Sequence, residues 1–84
     1  MNLYEIIKNI DSYSIEDTIY SEEPWSIYSP SLVINEEENS ELTNQTKKYF
    51  LEVFLVKELL DNLPSKLSLE QKCNRIIDYA INDA

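Results

Sequence analysis

The segment YFLEVFLV, residues 49–56, determines whether the chain contains a third β-strand or a long central helix. Its unbroken β-branched and aromatic residues favour a strand that is buried on both faces. The same segment also fits one face of a helix over about residues 43–62, through Phe50, Val53, Phe54 and Leu60. We favour the strand over Tyr49–Val56, and the long helix stays open as the alternative. A helix over Lys57–Leu63 is expected to follow and to end before Pro64.

Two shorter apolar segments precede this stretch. Thr18–Tyr20 and Ser31–Asn35 have the composition of short strands, and Ser21–Ser29 between them is predicted to be a loop. A second, acidic loop is expected over residues 36–40. The chain contains no glycine, so another residue must supply any positive φ angle that a turn needs, and Asn35 and Asn39 are the expected turn residues.

Helices are predicted at both ends of the chain. Asn2–Ile10 carries apolar residues at helical spacing, and Asn2 with Glu5 forms a capping-box pattern. Ser68 and Gln71 give the same pattern before a last helix from Leu69 to nearly the end of the chain. The stripe of that helix is Leu69, Cys73, Ile76, Ile77, Ala80 and Ala84. We therefore predict one α+β domain over residues 1–84, with a small antiparallel sheet of about three strands, an N-terminal helix and two C-terminal helices.

The composition excludes several kinds of chemistry. Without glycine there is no phosphate-binding loop of the common kinds, and without histidine there is no histidine-dependent triad. Cys73 is the only cysteine, so an internal disulfide and a paired-cysteine zinc site are both ruled out. We expect Cys73 to be a buried free thiol in a cytoplasmic protein. We also expect no catalytic residues, no cofactor and no metal.

The negative charge is concentrated in the first half of the chain. The net charge of −9 argues against direct binding to nucleic acid or to a membrane. Residues 1–38 contain nine acids and one base, a net charge of −8. Solubility alone explains such a surplus. The more specific interpretation is a docking face for a basic protein, since complementary charge speeds association.

Aromatic residues lie among these acids, and tryptophan and tyrosine are frequent anchors of protein interfaces. For Trp25 the alternative is that it closes one end of a small core. Paired carboxylates in this region could in principle perform acid–base chemistry, but solvated surface charge is the favoured interpretation. The predicted partner-binding residues are Glu16, Asp17, Tyr20, Glu22, Glu23, Trp25, Tyr28, Glu36, Glu37 and Glu38.

Two parts of the chain resemble a known group of proteins. These are Thr18–Tyr20 followed by the sequences PWS at 24–26 and SPSLV at 29–33, and the ending DYAINDA at 78–84. They resemble small acidic bacterial immunity proteins of contact-dependent growth inhibition and other polymorphic toxin systems, grouped as a domain of unknown function.

The resemblance implies a cytosolic inhibitor that binds and neutralises a cognate, basic, nuclease-type toxin domain. Such a protein would be a monomer alone and a heterodimer with its toxin. The alternative is an acidic nucleic-acid mimic that inhibits a phage-defence protein or another nucleic-acid-binding protein.

Overall fold

Helices cover one face of a small antiparallel sheet, and the apolar core lies between them. A computed structural model describes residues 1–35 and 47–83. Its elements are α1 (Leu3–Lys8), a 3₁₀ turn (Ile10–Ser12), β1 (Thr18–Glu22), β2 (Ser31–Ile34), β3 (Lys47–Glu52), α2 (Val53–Asn62) and α3 (Leu69–Asn82). This order confirms the predicted α+β fold, with a three-stranded sheet, one N-terminal helix and two C-terminal helices.

Both predicted capping boxes are present. The Asn2 side chain accepts a hydrogen bond from the Glu5 N–H at 2.8 Å, and the Ser68 hydroxyl accepts one from the Gln71 N–H at 3.2 Å. In each box the third helical residue bonds back to the backbone N–H of the cap. These bonds satisfy N–H groups that the first helical turn leaves without partners, and so fix where α1 and α3 begin.

The sheet has the order β2-β1-β3, and each neighbouring pair is antiparallel. Ile19 in the central strand lies opposite Val33 and Leu51, and this row faces the helices. Because neighbours along a strand point to opposite faces, the next row lies on the other side of the sheet. That outer row consists of Tyr20, Leu32 and Tyr49.

The segment 49–56 is divided between two elements, so the predicted strand is too long at its C-terminal end. β3 ends at Glu52, where its pairing with Thr18 at the start of β1 ends, and α2 begins at Val53. The Val53 N–H donates to the carbonyl of Asp17 at 3.0 Å, which satisfies a free donor at the start of the helix. In the helix Val53 and Val56 are both fully buried. Burial of this apolar face therefore outweighs the β-propensity of residues 53–56.

A β-bulge explains why β3 buries two neighbouring residues. The pairing with β1 shifts between Ile19 and Tyr20, so Phe50 is an extra residue on β3. Phe50 and Leu51 are 1% and 0% exposed, although regular alternation would place one of them on the outer face. Tyr49 on that outer face is 47% exposed, so the strand is not buried on both sides as predicted.

Chain reversals need no left-handed backbone in residues 1–35 and 47–83, since none of these residues has a positive φ angle. The expectation that asparagine would supply one is therefore wrong for Asn35. Asn39 lies outside the described residues. Within those same ranges, no helix has the length and apolar character that a membrane span requires.

Candidate partner-binding surface

The predicted acidic residues do not form one cluster. Glu16 and Asp17 belong to the turn before β1, where the Asp17 carboxylate accepts a hydrogen bond from the Ser14 N–H at 3.2 Å. Glu22 ends β1, and the exposed Glu23 follows it. The strand separates the two pairs by roughly 17 Å, at about 3.3 Å per residue. Glu36, Glu37 and Glu38 lie outside the described residues.

The predicted aromatic residues are also divided. Tyr20 lies on the outer face of the sheet, where its ring meets that of Tyr49 edge to face at a centroid distance of 6.3 Å. Trp25 lies on the helical side and packs against the core. Tyr28 is 75% exposed in the loop between β1 and β2. The three aromatic residues were predicted to form one surface because they are close in the sequence, but the fold places them in different surroundings.

The loop 23–30 is held in place by its serines and by α1. The Ser29 hydroxyl donates to the Pro24 carbonyl at 3.1 Å and accepts from the Ser26 N–H at 2.8 Å. The carbonyls of Ile27 and Ser29 accept the first two N–H groups of α1, those of Tyr4 and Leu3, at 3.1 and 3.3 Å. The loop thus supplies partners to the helix N-terminus, and these bonds hold the loop in one arrangement.

Trp25 is fixed on two sides. Its indole Nε1–H donates to the carbonyl of Ser21 at 3.1 Å. Its ring meets Phe50 edge to face, with centroids 5.0 Å apart and planes at 89°. Phe50 is the bulged residue of β3, so the irregularity in the sheet supplies the surface against which Trp25 packs. Trp25 therefore closes one end of the core, in agreement with the structural alternative.

Trp25 also lines an open cleft of about 390 Å³ between the loop and the last turns of α3. We call this the Trp25 cleft, and its lining residues are Glu23, Pro24, Trp25, Ala80 and Ile81. Ile81 is 58% exposed, although it is a large apolar residue. Trp25 can therefore both pack against Phe50 in the core and contact a binding partner in the cleft, because it borders each of them.

Sequence reasoning found Glu23 and Trp25 but missed Ala80 and Ile81 as parts of this site. Ala80 belongs to the apolar stripe of α3 and appeared only as a core residue. Ile81 lies beside that stripe, and an apolar residue next to the buried face of a helix was the signal that could have identified it.

The electrostatics of the cleft are negative. Glu23 contributes a carboxylate, and the last turn of α3 contains no basic residue. The negative end of the helix dipole therefore lies beside Ala80 and Ile81 without a compensating cation on that turn. In the described part of the chain there is one ion pair, between Lys47 Nζ and Glu22 Oε2 at 3.6 Å. Glu23 therefore has no basic partner among the described residues.

Cys73 lies in the core, as predicted, and is fully buried. Burial raises the pKa of its thiol from 9.0 to about 11, and the negative charge of Glu70 adds to the rise. A thiol held in the protonated form is a poor nucleophile. Within residues 1–35 and 47–83, no three histidine, cysteine, aspartate or glutamate side chains lie close enough to hold a metal ion.

Comparisons with protein-family models, with curated proteins and with solved structures give no match. The resemblance to immunity proteins therefore stays a prediction, and the Trp25 cleft is the feature of the fold on which a functional argument can be built.

Proposed function

We propose that this protein is a cytoplasmic inhibitor of the immunity type, which binds a basic, nuclease-type toxin domain and neutralises it by protein–protein contact. The observation that carries the proposal is the Trp25 cleft, where a fixed tryptophan and an exposed isoleucine lie beside uncompensated negative charge. Interfaces commonly combine a buried aromatic anchor with a charged rim. The protein acts by binding and not by catalysis.

The charge distribution supports a basic partner. In the described part of the first half, residues 1–35, the acids are Glu5, Asp11, Glu16, Asp17, Glu22 and Glu23, and Lys8 is the one lysine or arginine. Among these acids only Glu22 is in an ion pair with a described residue. Such a field attracts a positively charged partner from a distance and raises the association rate.

The placement of the acids favours this proposal over nucleic-acid mimicry. A mimic requires acids in a row on one rigid surface, at the spacing of phosphates. Here β1 separates Glu16 and Asp17 from Glu22 and Glu23, and an apolar cleft adjoins the second pair. An apolar anchor beside the charge is a feature of protein interfaces rather than of a phosphate backbone.

The test is capture and inhibition of the partner. Tagged protein is incubated with a host lysate at low salt, and retained proteins are identified by mass spectrometry. We expect one basic protein in a one-to-one ratio. Its nuclease activity is then measured with and without an equimolar amount of this protein. Loss of the activity supports the proposal, whereas capture of no specific protein, or undiminished activity in the complex, contradicts it.

A pair of charge variants tests the steering field. Glu22→Lys with Glu23→Lys reverses two charges beside the cleft. Glu58→Lys with Asp61→Lys reverses two charges on α2 and is the matched control. We expect the first variant to slow association with the captured partner and to flatten its salt dependence much more than the second. Equal effects would show that only the net charge matters.

A further inference from the structure

We infer that the Trp25 cleft receives an arginine side chain of the partner protein, and this inference rests on the proposed function. The guanidinium group lies over the exposed part of the Trp25 ring, close to the Glu23 carboxylate and to the C-terminal end of α3. The apolar part of the arginine side chain packs against Pro24 and Ile81. The lining of the cleft supplies each of these contacts.

Negative charge reaches the cleft from two separate elements. The loop contributes Glu23, which is exposed and has no basic partner among the described residues. The helix contributes the C-terminal end of its dipole, from a helix of 14 residues whose last turn holds no base. Asp83 is the C-terminal cap of that helix and, although it does not line the cleft, it places no base at this end of the helix either. A cation is therefore the charge that this position favours.

The walls of the cleft favour arginine among the cationic side chains. Trp25 provides the ring type that binds cations best, and its hydrogen bond to Ser21 and its contact with Phe50 hold that ring in place. A guanidinium stacks on an aromatic ring and bonds a carboxylate through two N–H groups, whereas an ammonium is a compact and strongly hydrated charge. Ile81, which is 58% exposed, offers apolar surface to a long side-chain stem.

The size of the cleft fits part of a partner's chain. At about 390 Å³ and open to solvent, it is at the lower end of the roughly 300–1,000 Å³ of enclosed small-molecule sites. An open cleft of this size leaves much of a free small molecule in water. One side chain presented by a folded partner loses less entropy on binding, because the partner already positions it.

The experiment uses blocked tripeptides with a central arginine, citrulline, lysine or norleucine. Citrulline has nearly the shape of arginine but no charge. Binding is followed by the ¹H–¹⁵N spectrum and by the fluorescence of Trp25, the only tryptophan of the chain. We expect the arginine peptide to shift the Trp25 indole N–H and the amides of Ala80 and Ile81 saturably. Its affinity should exceed that of the citrulline peptide by about tenfold, and lysine should fall between them.

Two pairs of variants locate the effect. Glu23→Gln should lower the affinity for the arginine peptide by about two- to fivefold, whereas Glu16→Gln at the other end of β1 should leave that affinity unchanged. Ile81→Lys places a cation inside the cleft and should abolish saturable binding. Asn82→Lys adds the same charge to the same helical turn, outside the lining residues, and should preserve most of the binding.

The inference is overturned by equal affinities for arginine and citrulline peptides, or by shifts spread over the acidic surface without saturation at the cleft. It is also overturned if tetramethylammonium binds more tightly than the arginine peptide, since the cleft would then suit a small quaternary amine. If Ile81→Lys leaves capture of the basic partner unchanged, the inference fails and the proposed function stands. If the cleft selects arginine but no protein is captured, the proposed function fails instead.

Discussion

Replacement of Trp25 by alanine should lower the free energy of unfolding by about 3 kcal/mol. The edge-to-face pair with Phe50 contributes about 1 kcal/mol beyond its buried area. The hydrogen bond from Nε1 to the Ser21 carbonyl contributes about 1 kcal/mol. Apolar burial of a partly exposed ring adds roughly another 1–1.5 kcal/mol. For a domain of this length the loss is a large fraction of the total stability.

The assay is urea unfolding followed by far-ultraviolet circular dichroism, because the substitution removes the only tryptophan and with it the fluorescence signal. Trp25→Phe should cost less than half as much as Trp25→Ala, since a ring remains against Phe50 and the loss is confined to the N–H donor and part of the ring area. Tyr28→Ala is the matched control, because it removes a 75% exposed aromatic residue from the same loop. That control should stay within about 0.5 kcal/mol of the wild type.

A value for Trp25→Ala within about 0.5 kcal/mol of the wild type would contradict this packing role of Trp25. Trp25 would then be a surface residue, and the contacts with Phe50 and Ser21 would contribute nothing to folding. A cost for Tyr28→Ala as large as that for Trp25→Ala would contradict it in a different way, because burial would no longer explain the difference between the two aromatics.

Three further substitutions test other parts of the fold. Because the folded-state pKa of the Cys73 thiol is about 11 and its ordinary value is 9.0, the contribution of this group to the free energy of unfolding should fall by roughly 2 kcal/mol as the pH rises from 9 to 11. Cys73→Ala should lack this component, so the difference between the two proteins in urea unfolding should shrink over that range. Ser68→Ala removes the cap of α3 and should cost about 1 kcal/mol in urea unfolding, whereas Ser65→Ala in the preceding exposed turn should cost almost nothing. Ser31→Ala deprives the buried Ser21 hydroxyl of its partner at 2.8 Å and should lower the thermal midpoint by an amount equivalent to about 1–3 kcal/mol, and an unchanged midpoint would contradict that role.

The starts of α1 and α3 were predictable because their signals are local. A capping box needs two side chains three residues apart, and both boxes are visible in the sequence and present in the fold. The apolar stripe of α3 is similarly local, and Cys73, Ile76, Ile77 and Ala80 are all buried as the spacing predicts. The three strands were predicted from local patterns too, although a long helix stayed open as the alternative for residues 49–56.

The end of β3 was not predictable because it depends on partners far along the chain. Glu52 is the last paired residue of β3 because β1 begins at Thr18, and the Val53 N–H donates to the carbonyl of Asp17 instead. Nothing within residues 49–56 encodes either fact. The bulge at Phe50 is non-local in the same way, because it exists only relative to the register of β1.

The site was half predictable for a related reason. Composition identified the acids and aromatics of the loop, but it could not divide them between the two faces of the sheet. The register places Tyr20 opposite Tyr49 on the outer face, whereas the contact with Phe50 places Trp25 against the core. The other wall of the Trp25 cleft comes from α3, and only the packing of the chain brings that helix to the loop.

The two roles of Trp25 determine which residue can report on binding. A tryptophan that is fixed by the core loses little conformational freedom when a partner covers it, so a fixed Trp25 is a favourable anchor. For the same reason, loss of binding in Trp25→Ala cannot be separated from loss of the fold. Ile81 lines the same cleft but is 58% exposed and lies outside the core cluster. Substitutions at Ile81 should therefore change the contact surface with little effect on the free energy of unfolding, so they test whether the cleft binds a partner. Substitutions at Trp25 mainly change the stability of the fold.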